Sequence, residues 1–147
     1  MRLVLIVCAA VGLAACSAGS TAPSSVSAGT TLSLAGTWSG TLASSNNDTE
    51  PITIVVTQSG SDVRGTWQGM SVSWTGNVTG SVDASTFDGQ FTFSGTAANG
   101  TVCTGTAAVT GPATSSSMTL TSAAGVVGAA CPAPLPLAIT IDVRRQS

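Results

Sequence analysis

Six carboxylates are the side chains in this sequence best suited to acid–base chemistry. They are Asp48, Glu50, Asp62, Asp83, Asp88 and Asp142. A glycosidase needs two carboxyl groups facing each other across a cleft, one of them with a raised pKa. Here each carboxylate falls in a predicted turn or on the outward face of a predicted strand, and none has the regular oxygen spacing of a calcium loop. We therefore interpret the six as solvated acids and predict that the protein is not an enzyme.

Several reactive residue types are missing from the 147 residues: the sequence contains no His, no Tyr and no Lys. Their absence excludes His-based catalytic triads, most zinc sites and the lysine of a nucleotide-binding P-loop. The basic residues are four arginines, and the formal net charge is −2. No basic patch for nucleic acid can form from so few cations. We expect no cofactor, no metal and no nucleic-acid partner.

The N-terminus has the layout of an export signal that ends at a cysteine. Arg2 precedes an apolar run over residues 3–12, which is shorter than the roughly 20 residues needed to span a bilayer but suits a signal-peptide core. Leu13-Ala14-Ala15-Cys16 follows at once. This motif resembles the lipobox of bacterial lipoproteins, which implies cleavage before Cys16, a diacylglyceryl thioether on its thiol and acylation, for example by palmitate, of the new amine. The alternative is an ordinary secretory signal that contains a cysteine.

The lipobox resemblance also implies a location in the bacterial cell envelope. Ser17, rather than aspartate, follows the lipidated cysteine, which favours the outer membrane if the host is Gram-negative. The next residues are mostly Ser, Thr, Ala and Gly, which bury too little apolar surface to fold. We therefore divide the chain into a signal peptide (1–15), a lipidated disordered tether (16–33) and a folded domain (34–147).

The remaining cysteines are assigned by their positions. Cys8 leaves with the signal peptide, which leaves Cys103 and Cys131 in an exported chain where thiols can oxidise. A metal site built on these two thiols lacks a partner His or a further Cys. We predict one structural disulfide between Cys103 and Cys131.

The domain from residue 34 onward has the alternating pattern of β-strands. Apolar or glycine positions alternate with hydroxyl residues, most clearly over residues 135–145, and turn signals such as Ser59-Gly60-Ser61 and Asn99-Gly100 separate the runs. About eight strands joined by short turns favour an up-and-down antiparallel barrel, which has no exposed edge. A two-sheet β-sandwich is the alternative, since it produces the same alternation.

Gly36-Thr37-Trp38 on the first predicted strand resembles the Gly-x-Trp opening of calycin barrels, the group of the lipocalins and avidins. In many of these proteins the Trp packs at one end of the barrel beneath an arginine from the far end of the chain. The resemblance therefore implies a contact between Trp38 and Arg144 or Arg145. Arg145 has the inward parity of Ile141, which makes it the better candidate.

The predicted inward face carries large aromatic side chains next to many glycines. The candidate interior, or ligand-lining, residues are Trp38, Trp67, Trp74, Phe91 and Arg145. A glycine on the inner wall either lets a ring pack flat against it or leaves space. An eight-stranded barrel has the size at which the interior is filled or holds one small ligand. The sequence leaves both outcomes open.

The functional prediction is a non-catalytic, membrane-anchored envelope lipoprotein whose barrel binds a ligand or a partner. The ligand would be a small hydrophobic molecule inside the barrel, and the partner would be an envelope protein. The alternative is a periplasmic inhibitor or an envelope scaffold that acts through loops at residues 44–50 and 124–136. We expect the domain to be monomeric.

Overall fold

The chain forms an all-β domain. The computed structural model describes residues 32–45, 48–71, 73–96, 100–122, 126–127, 131 and 138–147. Its strands are β1 (Gly36–Ser44), β2 (Thr49–Ser59), β3 (Asp62–Gly69), β4 (Thr75–Asp83), β5 (Thr86–Thr96), β6 (Val102–Pro112), β7 (Ser117–Thr121), β8 (Val126–Val127) and β9 (Ile139–Arg145). Within these ranges there is no helix, and hence none that is long and apolar enough to cross a membrane. The predicted signal peptide, Cys16 and the tether up to residue 31 lie outside the described residues.

Eight strands close into an antiparallel barrel. Consecutive strands pair from β1 through β6. β7 then pairs with β6 and with β9, and β9 pairs with β1, which closes the circle. The two-residue strand β8 lies beside β6 and adds no wall of its own. The predicted up-and-down barrel is confirmed and the sandwich alternative is not adopted. Closure gives every barrel strand two neighbours, so no edge is left to pair with another chain.

The alternation in the sequence places the core. In β2, Ile52, Ile54 and Val56 are buried and the residues between them face outward. In β9, Ile141 and Val143 are buried and Asp142 is exposed. Successive side chains of a strand point to opposite faces, so each strand contributes one row to the interior.

The two ends of the barrel differ in their connections. Tight turns join the strands at one end, at residues 59–62, 83–86 and 112–117, and both ends of the described chain also lie there. We call this the plugged end. Longer connections lie at the other end, at residues 44–49, 69–75, 96–102 and 121–139. We call this the loop end.

The seam between β6 and the strands that follow it is reinforced covalently. Thr110 pairs with Thr121 in β7, whereas Thr106 pairs with Val126 in β8. Cys103, near the start of β6, is bonded to Cys131 beyond β8. The predicted disulfide is confirmed.

Two strand limits differ from the sequence prediction. The alternation that groups Trp74 with the inward-facing residues fits a strand position, but β4 begins at Thr75. The Trp74 carbonyl accepts a hydrogen bond from the Gly69 amide across the connection, so it belongs to the loop end. The last strand was expected from residue 135 and begins at Ile139; residues 132–137 lie outside the described part of the chain.

Candidate functional site

Several glycines of the wall are places where aromatic rings pack against the backbone. Gly80 and Gly89 are paired across β4 and β5. A Cβ atom added to either glycine would lie 2.7 Å from Cζ of Phe87. The space that each glycine leaves is therefore occupied by the Phe87 ring, and it is not part of a void.

Trp67 uses the absence of a side chain in the same way. A Cβ atom on Gly76 would lie 2.6 Å from Nε1 of Trp67. The indole Nε1 donates a hydrogen bond of 2.8 Å to the Thr92 carbonyl oxygen. The Trp67 ring also lies 6.4 Å from the Phe91 ring, tilted by 39°. Both aromatic side chains are buried and hold the wall together.

The structure separates the predicted interior residues into two groups. Trp38, Trp67 and Phe91 belong to the buried core. Trp74 and Arg145 are half-buried and lie at opposite ends of the barrel, Trp74 at the loop end and Arg145 at the plugged end. The buried aromatic rings of the core cluster are those of Trp38, Trp67, Phe87 and Phe91.

Residues 32–34 close the plugged end of the barrel. Leu34 is completely buried, and its carbonyl oxygen accepts a 2.9 Å hydrogen bond from Nε1 of Trp38. Oε1 of Gln58 accepts a 2.6 Å hydrogen bond from the Leu34 amide, and Nε2 of Gln58 donates a 2.8 Å hydrogen bond to the Leu32 carbonyl oxygen. The Gln58 side chain therefore supplies residues 32–34 with hydrogen bonds of the kind that a neighbouring strand would supply.

Arg145 completes the same closure from the far end of the chain. Its Nη2 donates a 2.6 Å hydrogen bond to the Ser33 carbonyl oxygen. Its Cζ lies 5.0 Å from the centroid of the Trp38 ring, in the contact that the calycin resemblance implied. A cation–π contact of this kind contributes roughly 0.5–2 kcal/mol. Three successive carbonyl groups, at residues 32–34, are thus each held by a different side chain.

The loop end is where apolar side chains of the core approach solvent. Trp74 stacks on Phe93 with ring centroids 5.4 Å apart, and a Cβ atom on Gly95 would lie 2.6 Å from the indole ring. Four half-buried hydrophobic residues that pack against the core lie at this end: Leu42, Trp74, Phe93 and Ile139. Met70 and Val102, also at this end, are 68% and 57% exposed.

The two predicted functional loops belong to the loop end. Of the first, residues 46 and 47 lie outside the described residues; Ser44 and Asp48, which flank them, are joined by a 2.8 Å hydrogen bond from the Ser44 amide to the Asp48 carbonyl oxygen. Of the second, at residues 124–136, only 126–127 and 131 are described. The disulfide ties Cys131 to β6 and so fixes one point of this second loop.

The carboxylates do not form a site among themselves. Five of the six are exposed, and Glu50 is half-buried. Oε1 of Glu50 accepts a 2.6 Å hydrogen bond from the Ser71 amide, and Oδ1 of Asp142 accepts a 2.7 Å hydrogen bond from the Thr119 hydroxyl. No group of three His, Cys, Asp or Glu side chains lies together among the residues that the structure describes.

The outer wall of the barrel carries a groove that the sequence does not predict. A groove of about 390 Å³ lies on the outer wall of β2, β3 and β4. Its lining residues are Thr53, Val55, Thr66, Trp67, Gln68, Thr75, Gly76 and Asn77. The sequence shows that these strands have uncharged outward positions, but only the strand register shows which of those positions are neighbours.

Comparison with known proteins adds no family to this description. No protein-family model and no curated protein sequence matches the chain.

Proposed function

We propose that this protein is a lipid-anchored envelope protein that presents the loop end of its barrel to a partner protein. The observation that carries this proposal is the difference between the two ends. The chain enters at the plugged end, where Gln58, Trp38 and Arg145 hold residues 32–34. The longer connections and the half-buried aromatic pair lie at the opposite end.

A lipid anchor on Cys16 would give the two ends of the barrel different surroundings. If Cys16 carries the lipid, the tether over residues 16–33 would span roughly 20–25 Å as a flexible coil. It joins the barrel at the plugged end, so that end faces the anchoring membrane on average. The loop end is then held away from the membrane and faces other envelope components.

The surface of the loop end suits a protein partner. Met70 and Val102 expose apolar side chains there. Trp74 and Phe93 add a half-buried stacked pair. Exposed apolar residues around aromatic anchors are typical of surfaces that bind proteins. The buried rings of Trp38, Trp67 and Phe91 in the core also support a partner on this surface over a ligand inside the barrel.

A small apolar ligand is the second candidate function. The Trp74–Phe93 stack favours it, because these rings lie where the core approaches solvent at the loop end. Native mass spectrometry of the protein purified from its own host separates the two functions. A bound mass of a few hundred daltons that departs on denaturation supports the ligand, whereas the bare mass of the lipidated chain supports the protein partner.

Site-specific photocrosslinking tests the main proposal. A benzoyl-phenylalanine is introduced at Ser71, on the loop end, and in a second strain at Ser85, on the plugged end; both residues are exposed serines in connections. We expect a discrete crosslinked protein from the Ser71 position only, in cells that carry the full-length chain. The same crosslink from both positions, or a crosslink from Ser85 alone, contradicts the proposal.

A further inference from the structure

We propose that the outer-wall groove on β2–β4 binds an uncharged glycan that carries acetamido groups. This site lies on the side of the barrel, so it goes beyond the partner surface proposed for the loop end. The proposal rests on the register of three strands, on the unpartnered polar groups of five of the six outward side chains and on the absence of charge among all six.

The strand register arranges six outward side chains in two rows of three. Thr53 pairs with Gln68, which pairs with Thr75. In the neighbouring row Val55 pairs with Thr66, which pairs with Asn77. Directly opposed side chains on one face of a sheet have Cβ atoms about 4.5–5.5 Å apart. The groove is therefore a compact patch, although its members are separated by up to 24 positions in the sequence.

The polar atoms of this patch are available to a ligand. Among the described residues, no hydrogen bond joins the side-chain hydroxyl and amide groups of the patch to the rest of the protein; the bond at Asn77 comes from its main-chain amide. All of the polar members are exposed except Thr53, which is half-buried. Hydroxyl and carboxamide groups can donate and accept hydrogen bonds at once, as glycan hydroxyl groups also can.

The six side chains are uncharged, which selects the class of ligand. Arg64, the next outward residue of β3 toward the plugged end, does not line the groove. An anionic ligand would find no cation among the lining residues, and a cationic ligand no carboxylate. A volume of about 390 Å³ lies toward the small end of the roughly 300–1,000 Å³ that ligand sites occupy. These properties fit one or two sugar units of a neutral glycan.

Two amides and one valine point to acetamido groups. Gln68 and Asn77 are diagonal neighbours across β3 and β4, since each is paired with the residue two positions away from the other. A carboxamide offers a carbonyl oxygen and two N–H groups, which complement the N–H and carbonyl oxygen of an acetamido group. Val55 is 49% exposed, and its methyl groups offer an apolar contact for the acetamido methyl.

The β4 edge of the groove is held in place by hydrogen bonds to Thr92 of β5. β4 and β5 pair at Thr75 with Ser94 and again at Val78 with Phe91, whereas the two residues of each strand in between are not paired. Thr92 bridges the interval: its carbonyl oxygen accepts from Nε1 of Trp67, and its hydroxyl oxygen accepts from the Asn77 amide at 3.0 Å. Because side chains fix the backbone at Asn77, a ligand does not have to order it on binding.

The test is an NMR titration of the mature chain, residues 16–147, with Cys16→Ser, produced behind a conventional cleavable signal peptide so that it is exported without lipid. The probe is chitohexaose, and cellohexaose is the matched glycan with hydroxyl in place of acetamido groups. We expect saturable shifts of the amide signals of Gln68 and Asn77 with chitohexaose, and at least fivefold weaker binding of cellohexaose. Gln68→Ala and Asn77→Ala should each weaken binding roughly 2–10-fold, the effect of one neutral hydrogen bond.

Gln90→Ala is the control variant, because Gln90 is an exposed outward amide on β5 that does not line the groove. It should leave the affinity for chitohexaose unchanged. The proposal is wrong if no saturable shift occurs at millimolar glycan, if cellohexaose binds equally well, or if Gln90→Ala weakens binding as much as Asn77→Ala. Shifts confined to Trp74 and Phe93 also contradict it. Photocrosslinking at Ser71 detects a protein and the titration detects a glycan, so the two proposals can fail separately.

Discussion

Removing the Cys103–Cys131 disulfide should cost the domain a large part of its stability. The two cysteines are 28 residues apart. For a loop of this length, the chain-entropy relation gives a stabilisation of about 3.5 kcal/mol at 25 °C. Small domains have a free energy of unfolding of only about 5–15 kcal/mol. Reduction should therefore remove a quarter or more of the stability and weaken one particular place in the barrel.

That place is the seam between β6 and its two short partners. β6 is joined there by pairs such as Thr110 with Thr121 and Thr106 with Val126, and by the bridge between Ala113 and Met118. β5, on the other side of β6, is paired along the full length of both strands. Reduction should accordingly increase hydrogen exchange first at the amides of β6 and β7 and leave those of β2 and β3 protected.

The assay is urea unfolding of oxidised and reduced wild-type protein, followed by fluorescence of the three tryptophans. Comparing the two forms isolates the covalent bond, because no side chain is replaced. A Cys103→Ala, Cys131→Ala double variant should behave like the reduced form. A difference below about 1 kcal/mol between oxidised and reduced protein would refute the entropic reasoning. Exchange that rises equally in every strand would refute the assignment of the seam.

Three other changes test the packing and the anchor. Trp38→Phe removes the donor to the buried Leu34 carbonyl and should lower the free energy of unfolding by about 1–3 kcal/mol, measured by urea unfolding. Gly80→Ala places a Cβ atom 2.7 Å from Cζ of Phe87 and should cost about 1–3 kcal/mol by the same assay, whereas the exposed Ser81→Ala should change stability by less than about 0.5 kcal/mol. Replacing residues 1–16 by a conventional cleavable signal peptide should move the protein from the membrane fraction to the soluble fraction on cell fractionation, and retention in the membrane fraction would contradict the lipid anchor.

The barrel could be predicted from the sequence because burial in a closed sheet repeats every two residues. Ile52, Ile54 and Val56 alternate with outward residues in the sequence and in the structure. The disulfide could be predicted because Cys103 and Cys131 are the cysteines left in the folded domain. Neither inference depends on which strands are neighbours.

The use of each inner-wall glycine could not be predicted, because a glycine there either leaves space or lets a ring pack against the backbone. From their residue type, Gly80 and Gly89 could face either a void or a ring packed flat. The direction of the Phe87 ring decides between them, and it depends on the rotamer of Phe87 rather than on the residue type. Trp74 shows the same limit: its alternation fits a strand, but its ring and carbonyl belong to the connection before β4.

Features that depend on register were also beyond the sequence. The groove joins Thr53 to Thr75 and Val55 to Asn77 through two intervening pairings. Gln58 gives no signal of its own, since an outward or inward glutamine near a turn is ordinary. Its role becomes visible only when the segment at residues 32–34 lies across the plugged end.

Energy transfer to the membrane measures the central claim, that the lipid tether attaches the barrel by its plugged end. A fluorophore is placed on Ser85→Cys at the plugged end, or on Ser71→Cys at the loop end, of the lipidated chain in vesicles that contain an acceptor lipid. Strands of this length, tilted as in a small barrel, separate the two ends by roughly 20–30 Å. We predict clearly higher transfer efficiency from position 85 than from position 71. Equal efficiencies, or a higher value from position 71, would contradict the account.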